Sequence, residues 1–118
     1  MRKVWLAGGL LLGLALAHHG WSSYDASRVI TATGTITEVT FEFPHVTIWI
    51  EVPPTGLMMQ RRWYVVLAPP SRMEARGLPN GSLKVGTRVT VVGYPHRTER
   101  EEMRAERIIV DGKTVELR

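Results

Sequence analysis

The stretch GTITEVTFEFPHVTIWIEV, residues 34–52, alternates in polarity along most of its length. A period of two marks a strand with one buried face, because successive side chains of a pleated chain point to opposite sides. The alternation sets in at Thr33. Val39, Phe41 and Phe43 fall on one side, and Glu38, Thr40 and Glu42 on the other. Pro44 ends this first strand, since it has no N–H for a ladder. A second strand follows at once, with Val46, Ile48, Ile50 and Val52 on one face and His45, Thr47, Trp49 and Glu51 on the other. Val39, Phe41, Phe43, Val46, Ile48 and Ile50 are therefore the expected core. Gly34 marks a bulge or a tight bend.

Working towards the C-terminus, PPTG at 53–56 makes a turn, and 62–67 forms a third strand rich in aromatic and β-branched residues. In APPSRMEARGL, Ser71 and Glu74 fit a capping box and Gly77 a helix stop, which predicts one short helix over 71–77. PNGS at 79–82 is a loop, and 85–95 is a fourth strand between Gly86 and Pro95. A charged stretch, RTEREEMRAER at 97–107, reads as a solvated face. In AERIIVDGKTVELR the Asp111-Gly112 pair is a hairpin signal, so the fifth strand folds back near the C-terminus. Three strands, a short helix and two strands predict an all-β domain with one short helix. The expected architecture is a five-stranded Greek-key barrel of the OB type, the helix plugging its bottom. Another small β-barrel or an open sandwich is the alternative.

The chain has 118 residues, enough for one domain. It contains no cysteine, which excludes disulfides, thiolate metal sites and a cysteine nucleophile. The N-terminus has the plan of a secretory signal: Arg2 and Lys3, an apolar run over 4–14, then the small-x-small site Ala15-Leu16-Ala17. The run is shorter than the roughly 20 apolar residues of a membrane span, and His18, His19 and Gly20 end it. The expected organisation is a signal peptide at 1–17, an N-terminal arm at 18–29 and the barrel at 30–118, with a periplasmic location and no membrane contact after cleavage. Loss of Arg2 and Lys3 takes the 15 basic residues to 13 against 11 acidic ones, so the mature charge is +2 rather than +4. Basic residues alternate with acids instead of forming the concentrated patch of a nucleic-acid binder.

Ala-His-His after the leader, GTITEV, FPHVTIWIEV, VVLAPPSRMEARGL, LKVGTRVTVVGYPHR and MRAERIIVDGKTVELR together resemble an uncharacterised family of short exported bacterial proteins, a domain of unknown function. The resemblance covers nearly the whole chain. It implies a periplasmic β-barrel and supplies no activity. More loosely, the chain is similar to periplasmic bacterial OB-fold stress proteins and to the small OB-fold copper and silver chaperone of efflux systems.

The four histidines are His18, His19, His45 and His96. His45 and His96 share a context, FPHV and YPHR, each after a strand end, and in an OB barrel both connections flank one binding face. A mature N-terminal His18 chelates through its amine and its imidazole, and nitrogen-rich sets favour Cu(II). Copper held by His18, His19, His45 and His96 is thus one reading; ordinary turn-proximal surface histidines are the other. Met58, Met59 and Trp49 are similar to the His, Met and Trp set of the copper chaperone, but adjacent methionines on a strand face opposite ways, so loop-edge packing fits better. Trp49, Trp63 and Tyr64, beside Arg61 and Arg62, are expected on the ligand face of the barrel. Export argues against nucleic acid as the ligand and leaves a protein or a small molecule. Ser22, Ser23, Ser27, Ser71 and Ser82 lack a nucleophile-elbow context, there is no glycine-rich phosphate loop, and Glu99, Glu101 and Glu102 lie in a charge run. No enzyme is expected. The chain is either a copper-binding module or a metal-free periplasmic interaction module. N-terminal sequencing of periplasmic material should begin at His18; intact Met1 in the membrane fraction would contradict the cleavage.

Overall fold

The structure, a computed structural model, describes residues 20–56, 59 and 61–118. Residues 1–17, where a signal peptide is expected, and His18, His19 and Met58 lie outside the described residues. A 3-10 turn, Trp21–Ser23, precedes six strands and one helix: β1 (Ile30–Thr40), β2 (Thr47–Val52), β3 (Arg61–Val66), α1 (Pro70–Ala75), β4 (Arg88–Pro95), β5 (Glu102–Val110) and β6 (Lys113–Glu116). The sheet order is β3-β2-β1-β4-β5-β6, and β3 also pairs with β5. That extra parallel pairing closes strands β1 to β5 into a barrel with OB-like connectivity. β6 is the folded-back end of the fifth strand. It joins β5 through Asp111 and Gly112, whose φ values of 51° and 75° are those of a type I′ turn.

β1 serves both halves of the barrel. Ile30 to Thr35 pair with β4, and Thr35 to Thr40 pair with β2. Between Ile36 and Glu38 the register slips by one residue, so Thr37 is an extra residue on β1. This bulge falls three residues beyond Gly34 and changes which face looks inward. Ala32 and Ile36 are buried before it; Val39 only packs on the edge of the core after it. The expected core needs correction here. Val46, Ile48 and Ile50 are fully buried, Val39 and Phe41 are partly buried, and Phe43 is 86% exposed. β1 ends at Thr40, so Phe43 sits in the connection to β2, beside the cis Phe43–Pro44 bond, where the alternation no longer governs.

α1 seats Met73, with no exposure, in the end of the barrel between β3 and β4. The expected capping box is not formed. The N-cap is Pro69, without a side-chain cap bond, and Pro70 occupies the first turn. The pyrrolidine ring pre-sets φ and has no N–H to satisfy, so the helix starts a residue earlier than Ser71. Its C-terminus follows the Schellman pattern: Gly77 N–H donates to Glu74 O at 3.1 Å and Leu78 N–H to Met73 O at 2.8 Å. Leu78 and Met73 are both buried, which supplies the accompanying apolar contact.

A second register slip, between Val92 and Gly93 of β4, makes Glu106 the extra residue on β5. A Cβ built on Gly93 would lie 1.9 Å from Arg104 O, a backbone atom that no rotamer change moves. Gly93→Ala should therefore destabilise the domain by at least about 2–3 kcal/mol in urea melts, by forced overpacking. Gly20→Ala meets nothing within 4 Å and should stay within about 0.5 kcal/mol of the parent.

Candidate binding surfaces around the closing seam

β5 alternates as it closes the barrel. Met103 and Ala105 point inward and are 0% and 1% exposed. Arg104, between them, points outward and is nonetheless only 6% exposed, the one buried charged residue among those described. The N-terminal arm covers it. The Trp21 ring lies 4.4 Å from the Arg104 guanidinium and 4.3 Å from that of Arg118, and Tyr94 meets the same ring edge-on. Among the described residues Arg104 makes no ion pair within 4 Å, and its Nε has no hydrogen-bond partner. The reading of 97–107 as a solvated face fails here, because β5 begins at Glu102 and carries Met103 to Ala105 into the packed seam.

Arg104 Nη2 donates to His45 Nε2 at 3.1 Å. A guanidinium only donates, so Nε2 must be bare and the neutral imidazole carries its proton on Nδ1. Burial first, then the charges of Arg104 and Arg72, hold the His45 pKa below the usual imidazole value. Beside this pair the Tyr24 hydroxyl donates to Glu102 Oε2 at 2.5 Å, and burial followed by that carboxylate pushes the phenol pKa well up. His96 touches the same network from the other side, its ring edge-on to Tyr24 at 5.1 Å. Its Nδ1 accepts the backbone N–H groups of Thr98 and Glu99, both at 3.1 Å, which shapes the β4–β5 connection. His45 and His96 thus flank one network, and each has one ring nitrogen engaged in holding the fold. Among the described residues no group of three or more metal-type side chains comes together. Met59 is 85% exposed, in keeping with a loop position.

Trp49 and Tyr64 do meet. They are cross-strand partners on β2 and β3, with centroids 5.1 Å apart, on the outer face of the barrel. Tyr64 is in register with Glu102 of β5, so the aromatic pair runs straight into the β4–β5 connection. Residues 98–102 form a wall, and the result is an open groove of about 560 Å³. Arg62 lies over Trp49 at 4.3 Å and pairs with Glu101 at 3.2 Å. Trp63 does not join this face. Alternation along β3 turns it inward, 5% exposed, with the Arg61 guanidinium 4.0 Å from its ring. Arg104, Tyr24 and Glu102 were missed in the sequence. The one available signal was the Met103-x-Ala105 alternation, which is out of phase with Ile108-x-Val110 by the extra residue Glu106.

A family model described as a family of unknown function, DUF6152, matches residues 10–104, from the N-terminal run to Arg104 in the seam. No curated protein matches the chain.

The His45–Arg104 contact makes stability depend on pH. The folded state keeps imidazole neutral more strongly than the unfolded chain does, so unfolding takes up a proton below about pH 6.5. The contribution is fully present above that value and is lost as pH falls through the depressed folded pKa. The melting temperature should drop between pH 7 and pH 5. His45→Gln, which offers an uncharged acceptor to Arg104, should flatten the profile over that window; an unchanged profile would show that another group titrates.

Proposed function

The chain belongs to DUF6152, a family of unknown function, and on that premise we propose that it is an exported, non-catalytic binding module that takes a protein segment or a small ligand on the outer β2–β3 face. The Trp49–Tyr64 pair carries this reading. Two large rings side by side on an open groove supply apolar area with little rotamer entropy to lose, the property that makes Trp and Tyr frequent anchors of binding sites. Arg62 and Glu101 at the edge add one charge of each sign, suited to orienting a polar ligand. The proposed setting is the periplasm, as the leader-like N-terminus suggests. Neither a catalytic residue nor a resident cofactor is needed for this role.

Copper binding through His18, His19, His45 and His96 ranks second. A metal at His45 Nε2 would have to displace the Arg104 guanidinium, leaving a buried cation without its hydrogen bond. Mass spectrometry of the mature protein with added Cu(II) separates the two readings by stoichiometry.

A photo-crosslinking residue at Glu101, on the wall of the groove, installed in the exported protein, should yield a discrete adduct by gel or intact mass. The same residue at Lys113, on β6, should not. Trp49→Ala and Tyr64→Ala should each weaken capture of that adduct's partner tenfold or more, about 1.4 kcal/mol, without unfolding the domain. Equal adducts from positions 101 and 113 would overturn the reading.

A further inference from the structure

The end of the barrel opposite α1 is open. The start of β1, the end of β2, the start of β3, the end of β4 and the β4–β5 connection converge there around a cleft of about 660 Å³. This volume lies in the range of small-molecule sites. Trp63 and Thr31 belong to its lining, and so do four arginines: Arg28, Arg61, Arg97 and Arg100. Among the described residues Glu99 is the only acid in the lining; Asp25, which senses Arg97 and Arg28, lies nearby, and Glu51 and Glu101 share a second, shallower concavity with Arg61. Asp25 is already engaged, accepting from the backbone N–H and hydroxyl of Ser27.

None of the four guanidiniums forms an ion pair within 4 Å among the described residues, whereas Arg62, Arg107 and Arg118 all reach carboxylates. Two of the four are nevertheless held in place. Arg61 stacks on Trp63 at 4.0 Å and donates from Nη2 to Arg100 O at 3.2 Å. Arg97 donates from Nε to Ser22 O at 3.0 Å. Four like charges converging on one cleft repel one another, and the repulsion is relieved by an anion seated between them. Guanidinium forks match the paired oxygens of phosphate and carboxylate groups.

We propose that this mouth is a binding site for a compact multivalent oxyanion, a phosphate ester or a polycarboxylate, distinct from the aromatic groove on the β2–β3 face. The cationic rim supplies the attraction and the Arg61–Trp63 stack supplies a preformed wall.

Calorimetric titration of the mature chain at fixed ionic strength tests this, with tripolyphosphate and citrate as probes and acetate as the monovalent control. One-to-one binding of tripolyphosphate or citrate, at least tenfold tighter than acetate, is expected. The tighter of the two identifies phosphate or carboxylate as the preferred group. Arg28→Gln with Arg100→Gln should weaken binding at least tenfold. Arg62→Gln with Arg107→Gln removes the same charge away from the cleft and should change it less than twofold. Trp49→Ala should leave it unchanged, which separates this site from the groove. Equal losses in the two double variants, with melting temperatures preserved, would reduce the effect to net charge and overturn the proposal; so would the absence of binding by both probes at 10 mM.

Discussion

Three parallel residue pairs, Tyr64 with Glu102, Val65 with Met103 and Val66 with Arg104, close the barrel. Every other pairing in the sheet is antiparallel, and of these only β1–β4 joins strands that are not consecutive in the chain. The seam alone converts an open, twisted sheet with two edges into a closed core. On the other side of β5, the bulged pairing with β4 brings the backbones so close that β4 can carry only glycine at position 93. Closure therefore depends on a small residue on one strand and on apolar residues facing inward on the next.

The same seam places a cation where the N-terminal arm must cover it. Desolvating a guanidinium without a carboxylate partner is unfavourable. The offsetting contacts are the Trp21 face, where a cation–π contact contributes about 0.5–2 kcal/mol, and the lone pair of His45. The arm is thus packed structure from Trp21 onward. Backbone bonds tie it down as well: Asp25 N–H donates to Pro95 O and Arg97 N–H to Ser23 O. Holding His45 neutral follows from this arrangement, since a second cation has no place beside the first.

One connection borders both candidate surfaces. Thr98, Glu99 and Arg100 wall the aromatic groove on one side and the cationic mouth on the other. His96 fixes that connection by accepting two consecutive backbone N–H groups. The histidine in YPHR is accounted for by loop geometry, and the histidine in FPHV by the Arg104 contact. Their shared local pattern therefore has two separate structural uses, both of them on the network around Tyr24 and Glu102.

Strand identity was readable from residues 34–52 because a period of two is a local property, and the hairpin at Asp111-Gly112 because left-handed φ values belong to particular residue types. The OB-like order followed from the succession of such elements. Trp49 and Tyr64 were readable as partners on one face once β2 and β3 were strands. Reading failed where distance along the chain enters. The bulge at Thr37 switched the inward face of β1, and Phe43 fell outside the core because pairing with β2 stops at Thr40, which the strand's own pattern does not show. Arg104 looked solvated among its charged neighbours, yet its cover comes from Trp21 and from His45, 59 residues away. Likewise, the four mouth arginines are spread from 28 to 100 and gather only when five strands end at one rim. Composition and periodicity thus determine which segments are strands and which faces are apolar. Only closure of the barrel decides which charges meet, because burial and electrostatic coupling depend on proximity in space, which pairings between distant segments create.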